Sequence, residues 1–178
     1  MELRTISEQE FKSIDSSRQA IADEHPRKFA VLDLGERVGV YGLGWNSQLI
    51  DPEIVVSTDG QTVWVGVDQY LVAIDRSTGQ IRVALKLRSN LLEIIAAQKL
   101  IAVRAETQVL LFNPDFSILV DEDFPDITEE ISINDNKLEI RFLEGYSLTL
   151  DLQTGKIDNS QITAFTLTKC TSTNNSSI

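Results

Sequence analysis

The acidic residues around Pro125 form the densest group of ionisable side chains in the sequence. They lie in the stretch "LVDEDFPDITEE", residues 119–130. The carboxylates belong to Asp121, Glu122, Asp123, Asp126, Glu129 and Glu130. Several carboxylates could bind a hard cation such as Ca²⁺, but the stretch lacks the Asp-x-Asp-x-Asp-Gly order of a calcium loop, so we predict no metal site. A solvated acidic turn and a contact surface for a basic protein are the other interpretations.

A catalytic interpretation would depend on Asp75, Asp151 and His25. Both aspartates precede predicted turns, where an Asp side chain accepts hydrogen bonds from the backbone two residues on. His25 stands before Pro26 at the expected end of a helix, where an imidazole complements the last carbonyl groups. Catalysis requires a nucleophile, a base and an orienting group within reach of one another, and no motif indicates such a set. We therefore favour a non-catalytic protein and keep a small carboxylate-based enzyme as the alternative.

The sequence carries no motif for a cofactor. The glycines of "LGERVGVYGLGW", residues 34–45, follow neither the Gly-x-Gly-x-x-Gly order nor the Lys-Ser/Thr pattern of a phosphate-binding loop. Cys170 and His25 are the single cysteine and the single histidine, too few for a zinc cluster. We therefore predict neither a cofactor nor a metal.

The net charge of the 178-residue chain limits the classes of partner. The sequence has 16 Lys and Arg against 27 Asp and Glu, a formal net charge of −11. This charge repels phosphate backbones and anionic membrane surfaces, so we expect binding to neither nucleic acid nor membrane. The acidic start of the sequence, and the lack of an apolar run of about 18 residues, predict a cytoplasmic protein. The oligomeric state is left open.

An internal repeat organises most of the chain. A shift of 38 residues without gaps aligns residues 56–81 with 94–119, and a second such shift adds 132–157. The aligned columns include Asp75 with Asn113 and Asp151, Trp64 with Ala102 and Ile140, and Ile81 with Leu119 and Ile157. A period of about 40 residues that holds several short strands is typical of a propeller blade, whose sheet packs against its neighbours.

Turn residues divide the first copy into predicted strands. We place these strands near residues 54–57, 62–67, 70–74 and 80–87, with Asp59-Gly60 and Gly79 in the turns. Before the repeats, Ser7 and Glu10 have capping-box spacing and predict a helix from residue 7 or 8 to about 23. The predicted single domain contains an N-terminal helix (1–26), a degenerate β segment (27–51), three β repeats (52–165) and a flexible tail (166–178).

Two copies of the repeat resemble a known family. "AIDRSTGQIRV", residues 73–83, and "TLDLQTGKIDN", residues 149–159, resemble the tryptophan-docking repeat of quinoprotein-type (PQQ-like) β-propellers, Ala-x-Asp-x-x-Thr-Gly-x-x-x-Trp. The resemblance covers about residues 52–162 and implies a propeller-like fold, although many functions share that fold. Val83, Asp121 and Asn159 stand where the repeat has Trp, so the docking ring is lost, and the resemblance implies no quinone.

The distribution of apolar residues over the strand faces predicts how the repeats pack. "TVWVGV" and "QVLLF" are apolar on both faces, so the first two copies should be covered on both sides. In the third copy Glu139 and Arg141 alternate with Leu138, Ile140 and Phe142, which leaves one face for water or a partner. We therefore predict an all-β protein with an N-terminal helix, in which antiparallel repeats of about 38 residues form an open propeller-like stack.

The predicted function is a protein-binding or inhibitory module that offers an acidic β surface to a protein partner, and the negative charge favours a basic one. The candidate surface consists of Glu122, Asp123, Asp126, Glu129, Glu130, Glu139 and Arg141.

The two tryptophans have different predicted positions. The repeat column that Trp64 shares with apolar residues predicts a core position for this side chain. Trp45, which is flanked by glycines, is predicted to be an exposed anchor.

Overall fold

The computed structural model describes residues 1–158. Within this range helix α1 spans Glu8–Ser13 and a 3₁₀ turn spans Ser16–Arg18. The strands are β1 (Glu2–Thr5), β2 (Gln19–Ala22), β3 (Lys28–Asp33), β4 (Val40–Trp45), β5 (Glu53–Val56), β6 (Thr62–Val67), β7 (Tyr70–Asp75), β8 (Ile81–Lys86), β9 (Leu91–Ala97), β10 (Leu100–Ala105), β11 (Gln108–Phe112), β12 (Ile118–Asp123), β13 (Thr128–Asn134), β14 (Lys137–Phe142), β15 (Ser147–Asp151) and β16 (Ile157–Asp158). Cys170 and the predicted tail, residues 166–178, lie outside the described residues.

The strands form four four-stranded sheets, which we name blades 1 to 4 in chain order. Blade 1 has the strand order β1-β3-β4-β2, blade 2 contains β5 to β8, blade 3 contains β9 to β12, and blade 4 contains β13 to β16. Blades 2 to 4 are antiparallel, with each strand beside its neighbour in sequence. The predicted propeller-like, all-β fold with an N-terminal helix is confirmed.

Each 38-residue copy of the repeat corresponds to one blade. The strands predicted in the first copy agree with β5 to β8 to within one residue at each end. Gly60 and Gly79 adopt φ of +72° and +69°, in the turns where the sequence places them. The corresponding strands follow in the same order in blades 3 and 4, because the aligned columns keep the spacing of turns and apolar residues.

Apolar clusters hold consecutive blades together. They include Leu43 with Val65 between blades 1 and 2, Leu71 with Leu110 between blades 2 and 3, and Leu111 with Ile140 between blades 3 and 4. Strands β6 and β11, which are apolar on both faces, are buried over their whole length. Blades 2 and 3 are therefore covered on both sides, as predicted.

The prediction of an N-terminal helix that reaches residue 23 is wrong. Helix α1 begins with the predicted capping box, in which Ser7 and Glu10 exchange hydrogen bonds, but it ends at Ser13. The following Asp15 accepts a hydrogen bond from the backbone of Ser17 at 2.8 Å, and such local side-chain bonds compete with the helical backbone. Ile21, which is only 1% exposed, lies in β2, and this strand pairs in parallel with β4 to complete blade 1.

The four blades form an open stack. The apolar clusters among residues 1–158 join blade 1 to 2, blade 2 to 3 and blade 3 to 4, and a fourth cluster joins α1 to the outer face of blade 1. The outer face of blade 4 carries exposed Glu139 and Arg141, as their alternation with apolar residues predicts. No helix within residues 1–158 is long and apolar enough to cross a membrane.

Trp45 is not the exposed anchor that its glycine-rich neighbourhood suggests. Its side chain is 3% exposed within the cluster between blades 1 and 2, and its indole Nε1 donates a hydrogen bond to the Ile50 carbonyl at 2.9 Å. Trp64 is 2% exposed and lies in the next cluster, as predicted. Both tryptophans contribute to the packing between blades.

Candidate functional site

The predicted acidic surface is divided between two blades. Glu122 and Asp123 are exposed at the end of β12, the outer edge strand of blade 3. The guanidinium of Arg88 pairs with Asp121 at 2.7 Å and with Asp123 at 2.9 Å. These ion pairs neutralise part of the negative charge of this edge. Glu122 takes part in none of the ion pairs formed within residues 1–158, so it contributes its full charge to the surface.

Asp126 forms a structural hydrogen bond on blade 4. Its Oδ2 accepts a hydrogen bond from the Tyr146 hydroxyl at 2.6 Å, and the ring of Tyr146 stacks on Phe142 with centroids 4.5 Å apart. Burial raises the pKa of Tyr146 to about 12, and the Asp126 carboxylate adds to the rise because it favours the protonated phenol. The phenol therefore stays protonated at neutral pH and fixes the position of Asp126.

Glu129 and Glu130 lie on β13 and share one cation. Arg141 donates from Nε to Glu129 Oε2 at 2.9 Å and from Nη2 to Glu130 Oε2. Glu139 lies on the same strand as Arg141 and pairs in register with Ser132 of β13. The structure thus brings Glu130, Glu139 and Arg141 to the outer face of blade 4, and Glu129 is joined to them through the guanidinium.

Two exposed apolar side chains lie beside these acids. Ile127 is 47% exposed and Leu143 is 60% exposed. The two residues are neighbours in space, because the backbone N–H of Leu143 donates to the Ile127 carbonyl at 3.0 Å. We use the name Ile127 surface for this pair and the polar residues around it, which are Asp126, Glu129, Glu130 and Arg141.

Sequence reasoning missed the apolar part of the Ile127 surface. A signal for Leu143 does exist, because it directly follows the buried Phe142 and so departs from the alternation of apolar residues in β14. No comparable signal marks Ile127, since an isoleucine between an acidic turn and a strand is equally compatible with a core position. Its exposure becomes visible only once the connection between blades 3 and 4 has a defined path.

The residues considered for catalysis have structural roles or stand apart. Asp75 Oδ1 accepts a hydrogen bond from the N–H of Ser77 at 2.8 Å, and Asp151 Oδ1 accepts one from the N–H of Thr154 at 2.8 Å. The Ser77 hydroxyl, together with the backbone, lowers the pKa of Asp75, and the Thr154 backbone N–H and hydroxyl lower that of Asp151, so both carboxylates are weaker proton acceptors. The two aspartates belong to blades 2 and 4, and His25 is exposed in the connection after β2.

The described part of the chain, residues 1–158, contains no group of three or more His, Cys, Asp or Glu side chains that could hold a metal ion. The carboxylates of the acidic stretch instead contact Arg88, Tyr146 and Arg141. These carboxylates are spread over a surface and do not converge on one point.

Comparison with known proteins gives the fold. No protein-family model matches the chain, and no curated protein matches it in sequence. BamB from Moraxella catarrhalis is similar in structure over 88% of this chain and 50% of its own, with a TM-score of 0.50 and 15% identity. AztD from Citrobacter koseri, in its apo form, is similar over 75% of this chain and 42% of its own, with a TM-score of 0.50 and 12% identity.

A third structural neighbour is NirN, described as a dihydro-heme d1 dehydrogenase. It is similar over 73% of this chain and 32% of its own, with a TM-score of 0.51 and 13% identity. All three neighbours are β-propeller proteins, which supports the propeller-like fold. The chain spans half of the length of BamB, and less than half of AztD and NirN.

Proposed function

We propose that the protein is a non-catalytic binding module that presents the Ile127 surface to a basic protein partner. The observation that carries the proposal is the exposed pair of Ile127 and Leu143 beside the carboxylates of Asp126, Glu129 and Glu130. An interface between proteins typically has an apolar centre within a polar rim, and exposed apolar side chains rimmed by polar ones mark such sites. The Ile127 surface has this composition.

The charge of the chain supports a basic partner. The net charge is −11. Glu139 and Glu144 are exposed on blade 4, which carries the Ile127 surface, and Glu122 is exposed on the neighbouring blade 3. A focused negative surface accelerates the approach of a positively charged protein, and its effect weakens as salt screens the charges. The partner should therefore present Lys or Arg side chains around an apolar centre.

In the tryptophan-docking repeat, the tryptophans fix adjacent blades to one another. We infer further that other contacts of the same turns fulfil this role in blades 2 and 4. The Tyr41 hydroxyl of blade 1 donates to the Gly79 carbonyl of blade 2 at 2.5 Å. A Cβ at Gly155 of blade 4 would lie 3.1 Å from the Leu119 carbonyl of blade 3, so a larger residue would not fit without movement. Such contacts support a degenerate docking repeat in which other groups connect the blades. The predictions of no quinone and of a cytoplasmic location are kept in this proposal.

Affinity capture with matched leucine variants tests the proposed function. The wild-type protein, Leu143→Ser and Leu49→Ser would each be immobilised and exposed to native lysate at low and at high salt. Leu49 is 96% exposed in the connection between blades 1 and 2, so its variant controls for the loss of any exposed leucine. We expect a basic partner to bind the wild type and Leu49→Ser at low salt, and to be lost from Leu143→Ser and at high salt.

One double variant tests the contribution of the negative charge. Glu129→Gln combined with Glu130→Gln removes two carboxylates, so it should weaken capture of the partner at low salt and make its retention less dependent on salt. The proposed function is wrong if the captured protein binds Leu143→Ser as well as it binds the wild type, or if its retention does not depend on salt.

A further inference from the structure

A polar cleft of about 310 Å³ opens where the connection between blades 1 and 2 meets the β6–β7 turn. It is separate from the Ile127 surface, which lies on blade 4. Its walls are formed by Asp23, Asn46, Ser47, Asp68, Tyr70 and Asn90, together with Ile50 and Gln69. A volume of this size matches the lower end of small-ligand sites in proteins, which lies at about 300 Å³.

Asp68 is the central charged group of the cleft. It is only 9% exposed and has a positive φ of 50°. Its Oδ2 accepts hydrogen bonds from the backbone N–H groups of Asn46 and Ser47, both at 2.9 Å. These bonds fix the carboxylate, and its Oδ1 accepts no hydrogen bond from the described residues. A nine-tenths buried carboxylate thus turns one unpartnered oxygen towards the cleft.

Two further acceptor groups line the cleft, on Asn90 and Asp23. The Nδ2 group of Asn90 donates to Glu106 Oε1 at 3.2 Å, so the Oδ1 atom of the same amide points away from Glu106. Asp23 adds a second carboxylate, of which Oδ1 accepts the backbone N–H of His25 at 2.7 Å. Burial raises the pKa of Tyr70, and a hydrogen bond to the Asp23 side chain and the negative charges of Asp23, Glu24 and Asp68 add to the rise. The surroundings of the cleft therefore carry negative charge.

We propose that this cleft binds a guanidinium group. A guanidinium carries five N–H donors in a plane and a permanent positive charge, and it pairs with carboxylate and amide oxygens at fixed angles. The cleft offers a fixed carboxylate oxygen on Asp68, a second carboxylate on Asp23 and an oriented amide oxygen on Asn90. The group could belong to a small molecule or to an arginine side chain of a protein, because the recognised chemistry is the same.

No Lys or Arg side chain of residues 1–158 lines the cleft. Lys86 lies 5.6 Å from the centre of the Tyr70 ring and is not among the residues that line the cleft. No ion pair within residues 1–158 involves Asp23 or Asp68. The negative charge of the cleft is therefore balanced by solvent ions or by a ligand.

Titration with guanidinium probes tests the inference in the full chain. Agmatine represents a small molecule, the peptide Gly-Arg-Gly represents a protein side chain, and butylurea is the neutral control of similar shape. Two-dimensional NMR would follow the backbone amides of Asn46 and Ser47, and calorimetry would give the Kd. Shifts with agmatine alone would assign the site to small molecules, and shifts with the peptide would assign it to a protein arginine.

Two isosteric variants locate the binding. Asp68→Asn removes the charge, keeps an oxygen for the two backbone amides and suits the positive φ, because Asn tolerates this conformation. Asp135→Asn is the matched control, since Asp135 has φ of 51° and is exposed in the β13–β14 turn. We expect Asp68→Asn to weaken binding at least about tenfold, as for lost hydrogen bonds to charged groups, and Asp135→Asn to leave it unchanged.

Asp23→Asn removes the second carboxylate without changing the bonds of Asp68 to Asn46 and Ser47, and it should also weaken binding of the guanidinium probes. The inference is overturned if neither probe shifts the Asn46 and Ser47 amides at millimolar concentration, if butylurea binds equally well, or if both Asp68→Asn and Asp23→Asn bind like the wild type.

Discussion

Within residues 1–158, blades 1 and 4 lie at the two ends of the stack, and their outer faces differ. The outer face of blade 1 is apolar, and Phe29 and Val31 are buried there beneath Phe11 of α1. The outer face of blade 4 carries Glu139 and Arg141, both exposed. The outer sheet of a stack can therefore be covered by an apolar element such as a helix, or it can have a polar outer face. Terminal repeats of stacked proteins have such a polar face.

The cover on blade 1 depends on a close approach between helix and sheet. An added Cβ at Gly42 would lie 3.0 Å from the Phe11 ring, and one at Gly44 would lie 3.2 Å from it. The ring of Phe11 also meets Phe29 with centroids 5.3 Å apart. Because Gly42 and Gly44 have no side chain, the Phe11 ring can pack directly on β4, and we call this contact the glycine seat. Within the described part of the chain, blade 4 has no such contact, because its outer face is exposed.

The largest effect should follow from removing the side chain that covers blade 1. Phe11→Ala leaves a cavity over Phe29 and exposes apolar surface, and such truncations cost about 3 kcal/mol. Leu143→Ala on blade 4 is the control and should cost within about 0.5 kcal/mol, because Leu143 is 60% exposed. Urea unfolding measures both values. Equal costs would show that α1 does not act as a cover.

A somewhat smaller effect is expected from filling the glycine seat. Gly42→Ala places a methyl group against Phe11 and Ile14, at 3.0 and 3.1 Å, and overpacking of this kind costs about 1 to 3 kcal/mol. The cost should shrink in the Phe11→Ala background, since the clash is then relieved. A double-mutant cycle in urea measures the coupling, and additive costs would contradict the proposed contact.

The capping box of α1 should make the stability of the blade 1 end depend on pH. Ser7→Ala removes an N-cap and should cost about 1 kcal/mol at pH 7. Hydrogen bonds from the Ser7 backbone N–H and, second, from its hydroxyl lower the pKa of Glu10, so their stabilisation is complete above the unfolded pKa and is lost as pH falls through the folded pKa. Ser7→Ala removes the share of the hydroxyl, so its cost should be somewhat smaller at pH 3 than at pH 7. Ser147→Ala on blade 4 should show no such change.

The sequence predicts blades 2 to 4 well because each blade is one uninterrupted copy of the repeat. Asp75 and Asp151 mark the same turn, and Gly79 and Gly155 both take the positive φ that this turn requires. Local spacing and tertiary structure agree in these blades. Strand positions can therefore be derived to within a residue in the first copy.

Blade 1 could not be predicted in the same way because its strand order, β1-β3-β4-β2, does not follow the sequence. Strand β2 precedes β3 in sequence but pairs in parallel with β4, a contact that no local pattern encodes. Ile21 has helical spacing from Phe11 and Ile14, yet it is buried in a strand. The candidate sites, too, could be predicted only in part. The acids of blade 4 are visible in the sequence, whereas the exposure of Ile127 and the cleft at Asp68 depend on how the connections fold.

The smallest effect on stability, and the most specific effect on binding, should come from the outer face of blade 4. Arg141 is 51% exposed, and its partners Glu129 and Glu130 are 46% and 53% exposed, so these ion pairs contribute within about 1 kcal/mol. Glu139→Ala and Arg141→Ala should each change the stability by about 0.5 kcal/mol or less.

Their effects on association should have opposite signs. Arg141→Ala leaves Glu129 and Glu130 without their cation and makes the face more negative, so a basic partner should bind more tightly. Glu139→Ala removes a carboxylate and should weaken the same association. Differential scanning calorimetry and the Kd of the captured partner measure the two quantities. A large fall in Tm for either variant would show that this face is packed against other groups, because solvated side chains can be truncated at little cost.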